Sequence, residues 1–476
     1  MSNNRIGERF VSLKSLFSAK DMTLGSPAKR IMEFAIPMLL GNFAQQLYNT
    51  ADSIIVGKFV GDNALAAVGS AMPILNLLLA LFVGVATGAG IVVSQSFGAR
   101  DRDGLTKAVG NCIALSFLAT ILIMIIGPLV TMPLLTLLGT PDSIIGWCAQ
   151  YLNIYFLGIV GFFFYNMLSG VLRGLGDSIT ALAFLLLSAA LNVLLDLWFV
   201  RSMGVAGVAL ATVIAQGISA IFCYIKLARM TDIFDLNLKT MKLIPAVAGR
   251  ILRIGIPSGI TQAIMSTAMM AVLNLTNAMG ETVIACNVIV MRVDGFAMLP
   301  NMTFGQAMSV YTGQNVGAGK FDRVHKGVKQ GGLIAAAFSA AITLILLFLS
   351  PILFGFFTDT PELIDLATRM IRIMAVGYIC ISVTQVLGGV VRGAGDTVTP
   401  MWVSFASTIL IRVPVAYLLA HLTTSPDAPN GKPIALFGSL MFSWVMGMVI
   451  SVIVFSLGKW KQKMYASHPE RLADPE

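Results

Sequence analysis

The sequence predicts an all-α integral membrane protein, with twelve transmembrane helices in two pseudo-symmetric six-helix lobes. Three observations predict it. First, the 476 residues are 57% hydrophobic and 12% charged, about half the charged share of a soluble domain. Mean hydropathy is +0.84. Second, twelve apolar stretches of about 20 residues or more are each long enough to cross a hydrocarbon core of about 30 Å. Third, the chain repeats itself. Residues 170–180 read GVLRGLGDSIT and residues 389–399 read GVVRGAGDTVT. That offset of 219 also carries Gln95-Ser96-Phe97-Gly98-Ala99 onto Gln314-Asn315-Val316-Gly317-Ala318, and Gly61-Asp62 onto Gly280-Glu281. Slipped by one residue, it carries Ile36-Pro37 onto Ile256-Pro257. Parallel repeats in a membrane chain point to two bundles related by an axis along the membrane normal.

Residues 1–30 form a cytoplasmic segment with six Lys/Arg. Ile6, Phe10, Leu13, Leu16 and Phe17 recur at roughly helical spacing, which reads as an interfacial helix or as a mobile tail. The first lobe spans 31–226, with stretches near 31–57, 64–96, 107–132, 147–171, 178–200 and 204–226. Residues 227–250 are a basic cytoplasmic linker. The second lobe spans 251–457, with stretches near 251–277, 284–314, 328–352, 367–391, 398–420 and 434–457. Residues 458–476 are a polar cytoplasmic tail, expected to be disordered, and His421 to Pro433 reads as plain loop. Gly and Pro inside the stretches do not argue against helices in lipid. Of the 32 Lys and Arg, 25 fall on one side of this arrangement and five on the other. The richer side is cytoplasmic, so both termini are expected there, in agreement with an even number of spans.

Composition also excludes classes. The net charge of +9 lies between apolar spans, so nucleic acid is not an expected partner. No cleavable signal peptide is expected, because the first apolar stretch is of full span length. Cys112, Cys148, Cys223, Cys286 and Cys380 lie in or beside apolar stretches, so no disulfide framework is expected. His325, His421 and His468 are scattered without metal-ligand spacing.

Ionisable residues inside spans are costly and are functional candidates by default. The clear cases are Asp52, Asp196, Arg292, Asp294 and Arg412, with Glu33 near the mouth of the first span. At 1.5 Å per residue, Asp52 lies about 30 Å along the first span and Asp196 about 27 Å along the fifth. Thr212 lies about 12 Å below the outer end of the sixth. Asn192 and Tyr48 sit one helical turn before Asp196 and Asp52, on the same faces. Five polar groups therefore converge at one level in the outer half of the first lobe. Two neighbouring buried carboxylates do not both stay ionised without a cation. A proton fits them, and so does Na+, since Asn and Thr oxygens suit a hard cation. The rival reading is that these groups only bond helices together. At the repeat offset Asp52 falls on Ala271 or Val272, and Asp196 on Val415, so the site belongs to the first half only. The second half has Arg292, Asp294 and Arg412, read either as a structural ion pair of Asp294 with Arg412 or as a substrate or gating group.

The two Arg-Gly-x-Gly-Asp loops lack the preceding strand and Gly-Lys-Ser/Thr pattern of a phosphate loop. They read as structural turns in which Arg173 pairs with Asp177, and Arg392 with Asp396. Seven methionines between Met265 and Met302 read as packing residues or as an adaptable surface for apolar ligands.

Ile36-Pro37, Tyr48-Asn49-Thr50-Ala51-Asp52, Gln95 to Ala99, both Arg-Gly-x-Gly-Asp loops and Asn192-Val193-Leu194-Leu195-Asp196, set in this order on a repeated half, resemble the multidrug and toxic compound extrusion (MATE) transporters, over about residues 28 to 458. The resemblance implies two lobes around a cavity open to either side in turn. It implies export of amphipathic, often cationic drugs across the plasma membrane in exchange for H+ or Na+, with no other cofactor. In prokaryotic members the cation site uses positions matching Asp52, Asn192, Asp196 and Thr212, with Tyr48 beside them and Pro37 at a kink of the first helix. Some members carry an acid in the seventh span, where residues 251–277 here hold none. The expected partners are small amphipathic cations and membrane lipids, for a monomer that is not an enzyme. The rivals are a lipid-linked sugar flippase of similar plan, expected to be more basic and to have extra spans; a lipid-modifying membrane enzyme, which needs a cytoplasmic Asp, His or Ser cluster; and a channel.

Overall fold

Apolar runs of this length satisfy their backbone polar groups only by closing into helices or barrels in lipid, and the chain chooses helices. The computed structural model describes residues 18–466. The first half forms α1 (Pro27–Phe59), α2 (Asp62–Gly98), α3 (Arg102–Leu137), α4 (Asp142–Leu157), α5 (Val160–Gly174), α6 (Ser178–Met203) and α7 (Val205–Ala228). The second forms α8 (Pro245–Ala278), α9 (Glu281–Gly317), α10 (Phe321–Gly355), α11 (Pro361–Ala375), α12 (Gly377–Gly393), α13 (Val398–Phe405), a π-helical stretch Ala406–Arg412, α14 (Val413–Leu422), α15 (Ile434–Ser456) and α16 (Lys459–Ala466). Among the described residues the sole β feature is an isolated bridge of Ser425 with Ala428.

Nine described helices are long and apolar enough to cross a membrane, and eleven spans result if each of two bent pairs counts as one. The expected count of twelve is reached only by adding α1. That helix is long enough, but Asn42, Gln45, Gln46, Asn49 and Asp52 make its middle polar. The bent pairs are α4 with α5, at 54°, and α11 with α12, at 44°. At the repeat offset the two breaks fall within about two residues of each other.

The chain divides into two compact units, Met1–Met22 with Glu33–Gly259, and Thr23–Met32 with Ile260–Glu476. In the first, Phe82 of α2 stacks on Phe163 of α5 with ring centroids 3.7 Å apart. Glycine lets α5 lie close to α7, since a Cβ on Gly161 would stand 2.6 Å from the Gly217 nitrogen. The segment after α7 is strapped to α3. Arg102 donates to Asp235 at 2.9 Å and to the Thr231 carbonyl at 2.7 Å, and the Ile244 N–H donates to Asn111 at 2.8 Å. In the second unit α9 packs on α12, and Tyr378 of α12 lies against Trp444 of α15 at 5.2 Å. The approach to α10 is tied down by Lys320, which donates to the Thr23 carbonyl at 3.0 Å, and by Arg323, which donates to that of Gly25 at 2.8 Å.

Three expectations are corrected. The Arg–Asp pairs of the Arg-Gly-x-Gly-Asp loops do not form. Asp177 stands just before α6 and accepts from the Thr180 N–H at 2.9 Å and its hydroxyl at 2.7 Å, and Asp396 does the same for Thr399 at 3.3 and 2.7 Å. A carboxylate before a helix meets unsatisfied N–H groups and caps them. Arg173 turns back one turn to Ser169 at 2.9 Å. The tail is helical from Lys459 to Ala466, because Trp460 and Met464, one turn apart, are both buried, and Trp460 stacks on Phe455 at 4.8 Å. Asp294 and Arg412 form no ion pair, as described below. The five cysteines are free and buried. The interfacial pattern at residues 6–17 lies outside the described residues, as do residues 467–476. Because each cap is local, Asp177→Ala and Asp396→Ala are each expected to cost about 0.5–2 kcal/mol, read as a lower thermal midpoint in detergent without loss of the helical signal.

Candidate functional site

Three helices of the first unit bring polar groups together inside an apolar bundle. Asp52 comes from α1, Asn192 and Asp196 from α6, and Thr212 from α7. The chain supplies them at helical spacing, so Asn192 and Asp196 share one face of α6. α6 and α7 are adjacent in sequence, joined through Gly204 at φ 56°, which sets Thr212 beside Asn192. All four are buried. Asp196 is 0% exposed and Asp52 6%. The Tyr48 ring is half-buried and stands close to Thr212 and Asp52.

The Asp52 and Asp196 carboxyls stand close enough to act on each other. In the orientation of the Asn192 amide that satisfies both its ends, its nitrogen donates to Asp196 Oδ2 at 2.9 Å and its oxygen accepts from the Thr212 hydroxyl at 3.1 Å. The Thr212 hydroxyl also lies 3.1 Å from the Val208 carbonyl of its own helix. One oxygen on each acid, Asp52 Oδ1 and Asp196 Oδ1, is buried with no hydrogen-bond partner. Buried polar atoms are nearly always paired, so two orphan oxygens on adjacent acids are an exception to that rule.

Two groups at this site had not been read from the sequence. Tyr151 and Tyr155 of α4 stand close enough for the acids' charges to act on Tyr151, and for Tyr155 to act on Tyr48. Their rings are 6.3 Å apart. The available signal was a pair of tyrosines four residues apart in an apolar run. Pro37 lies within α1, fifteen residues before Asp52 and apart from the cluster in sequence.

The second unit holds a different group. Asp294 of α9 accepts from the Tyr378 hydroxyl at 2.6 Å. Arg412, last residue of the π-helical stretch, acts on Asp294 through its charge. The ion pairs of the described residues include none between them, and Arg412 Nε is buried without a partner. Arg292 is exposed and points away from this group, as expected two residues from Asp294 on a helix. Nearby, Ser339 donates to Asn301 at 2.5 Å. Tyr378, too, had not been singled out from the sequence.

Comparison with known proteins places the chain. The MatE family model matches twice, over residues 37–198 and 257–418, together more than half of the chain. The sequence is 27% identical over 438 residues to the probable multidrug resistance protein YoeA of Bacillus subtilis, covering 88% of this chain and 95% of that protein. It is 28% identical over 454 residues to the probable multidrug resistance protein YpnP of the same organism, covering 93% and 98%. A solved structure of a MOP superfamily transporter from Pyrococcus furiosus superposes with a TM-score of 0.84 at 24% identity, covering 94% of this chain and 99% of that one. The helical fold, the doubled match and its extent have one conclusion: the chain belongs to the MatE family of multi-pass membrane transporters.

Proposed function

We propose that this protein is an antiporter that exports amphipathic, often cationic drugs or toxic compounds across the plasma membrane in exchange for H+ or Na+. The carrying observation is the buried Asp52–Asp196 pair, with an unpartnered oxygen on each acid. The names of the relatives, multidrug resistance proteins in Bacillus subtilis, support the export of drugs. Residues 31–226 and 251–457 act as two lobes, joined by the linker 227–250, in a monomer with both termini in the cytoplasm. No cofactor other than the coupling ion takes part.

Asp52 and Asp196 bind the cation. Asn192 holds Asp196 in place, Thr212 holds Asn192, and Tyr48 and Thr212 close the cluster. The donor set of carboxyl, amide and hydroxyl oxygens fits a proton or Na+. Pro37 removes one hydrogen bond from α1 and lets the helix that carries Asp52 bend. A cation arriving from outside neutralises the pair and favours the state that releases drug outward. Coupling requires the ion to bind the two states with different affinity.

The test is efflux of a permanently cationic dye from proteoliposomes under separately imposed Na+ and pH gradients. Export driven by one of them supports the reading. No export under either gradient, across several dyes, sinks it in favour of a flippase for lipid-linked precursors.

A further inference from the structure

The second unit carries a group that the cation site does not use, and its chemistry is of both signs. Tyr378 takes Oδ1 of Asp294 at 2.6 Å, and no hydrogen bond is made to the other carboxyl oxygen. Arg412 lies near enough for the two charges to act on each other, yet the pair stays open. Its buried Nε has no acceptor. A buried guanidinium beside an acid ordinarily closes a bidentate pair, and here the Arg412 Nε is left without an acceptor. The local backbone is also unusual. Ala406–Arg412 is π-helical, and such stretches occur mostly at functional sites. The corresponding helix of the first half, α6, is continuous and carries the cation site, with Val193 in the register of Arg412. Each half thus sets a buried ionisable group on the same helix of the repeat, the acid Asp196 in the first and the base Arg412 in the second.

We infer that Asp294, Tyr378 and Arg412 form a binding site for a zwitterionic substrate, with Arg412 holding a carboxylate and Asp294 the cationic centre. This rests on the export reading and narrows its substrate class. A carboxylate supplies the acceptor that the Arg412 Nε lacks. Tyr378 fixes the Asp294 carboxyl, and Trp444 packs behind the Tyr378 ring at 5.2 Å. A plain cation uses Asp294 alone and leaves Arg412 unpaired beside it.

The test is binding of tetramethylrhodamine carboxylate and of its methyl ester to the purified full-length protein, followed by fluorescence anisotropy. The two dyes share the cation and differ in the carboxylate. The wild type is expected to bind the acid about tenfold or more tightly than the ester, the worth of one charge-assisted contact. Arg412→Gln is expected to close that gap, Arg412→Lys to keep part of it, and Asp294→Asn to weaken both dyes. Equal binding of acid and ester by the wild type overturns the inference with no variant needed, as does a gap that survives in Arg412→Gln. Export of the ester from wild-type proteoliposomes is measured in parallel. If the ester is exported and the gap is absent, only this inference fails. If neither the ester nor several other cationic dyes are exported, the export reading fails, and this inference with it.

Discussion

Asp52→Asn and Asp196→Asn are each expected to lower gradient-driven export by roughly two orders of magnitude, because a carrier whose two states bind the ion equally is not shifted by its gradient. The fold should survive. Asn is nearly the same size as Asp, and its amide can donate to the remaining carboxyl, so the contact between residues 52 and 196 persists. What disappears is the charge of one acid, while an amide oxygen keeps the place of the unpartnered oxygen. Expression and thermal midpoint should therefore stay near wild type while export against a gradient falls to the passive leak. Downhill dye exchange should persist, since it needs no ion. Export at the wild-type rate in either variant would show that the pair only bonds helices together.

The second large effect is structural. A Cβ on Gly88 would lie 2.6 Å from the Gly255 nitrogen and 2.7 Å from both its Cα and the Ile251 carbonyl. A Cβ on Gly84 would collide with the backbone of Gly259. α2 and the start of α8 thus meet backbone to backbone through two glycines on each helix, four residues apart, the spacing that lets helices approach closely in lipid. The atoms in the way are main chain, so a larger residue cannot be accommodated by a rotamer change. Gly88→Leu is expected to destabilise by at least about 3 kcal/mol, the upper range of overpacking in a core, seen as a fall in the thermal midpoint of the detergent-solubilised protein. Gly69→Ala on the same helix, where an added Cβ meets nothing within 4 Å, should leave the midpoint unchanged. Equal midpoints for the two variants would show that the contact does not hold α2 and α8 together.

Much of this architecture was legible in the sequence because lipid leaves few choices. Apolar length gives helices, and the repeat gives their order. The convergence of Asp52, Tyr48, Asn192, Asp196 and Thr212 followed from helix periodicity and depth alone, since α1, α6 and α7 run long enough for 1.5 Å per residue to hold. The rest depends on contacts between distant residues. Tyr151 stands near the acids and Tyr155 near Tyr48, on α4, which ends at Leu157 before α5 starts 54° off its line. Nothing around Gly158 distinguishes that break from an ordinary membrane glycine. The π-helical turns before Arg412 leave no mark in ASTILIR, and the closed ion pair that charge alone suggested is not among those of the described residues. Asp177 was misassigned for a local reason: the carboxylate nearest an arginine in sequence was nearer still to the open end of the next helix.

The central claim is that the Asp52–Asp196 pair carries the coupling cation. Its most direct measurement is the ion released when a permanently cationic dye binds to purified protein, by proton release in weakly buffered detergent solution and by displacement of radiolabelled Na+. The account predicts that the wild type gives up one of these ions on binding dye, and that the Asp52→Asn/Asp196→Asn double variant binds dye and releases neither. Release of the same ion, to the same extent, from the double variant would contradict it.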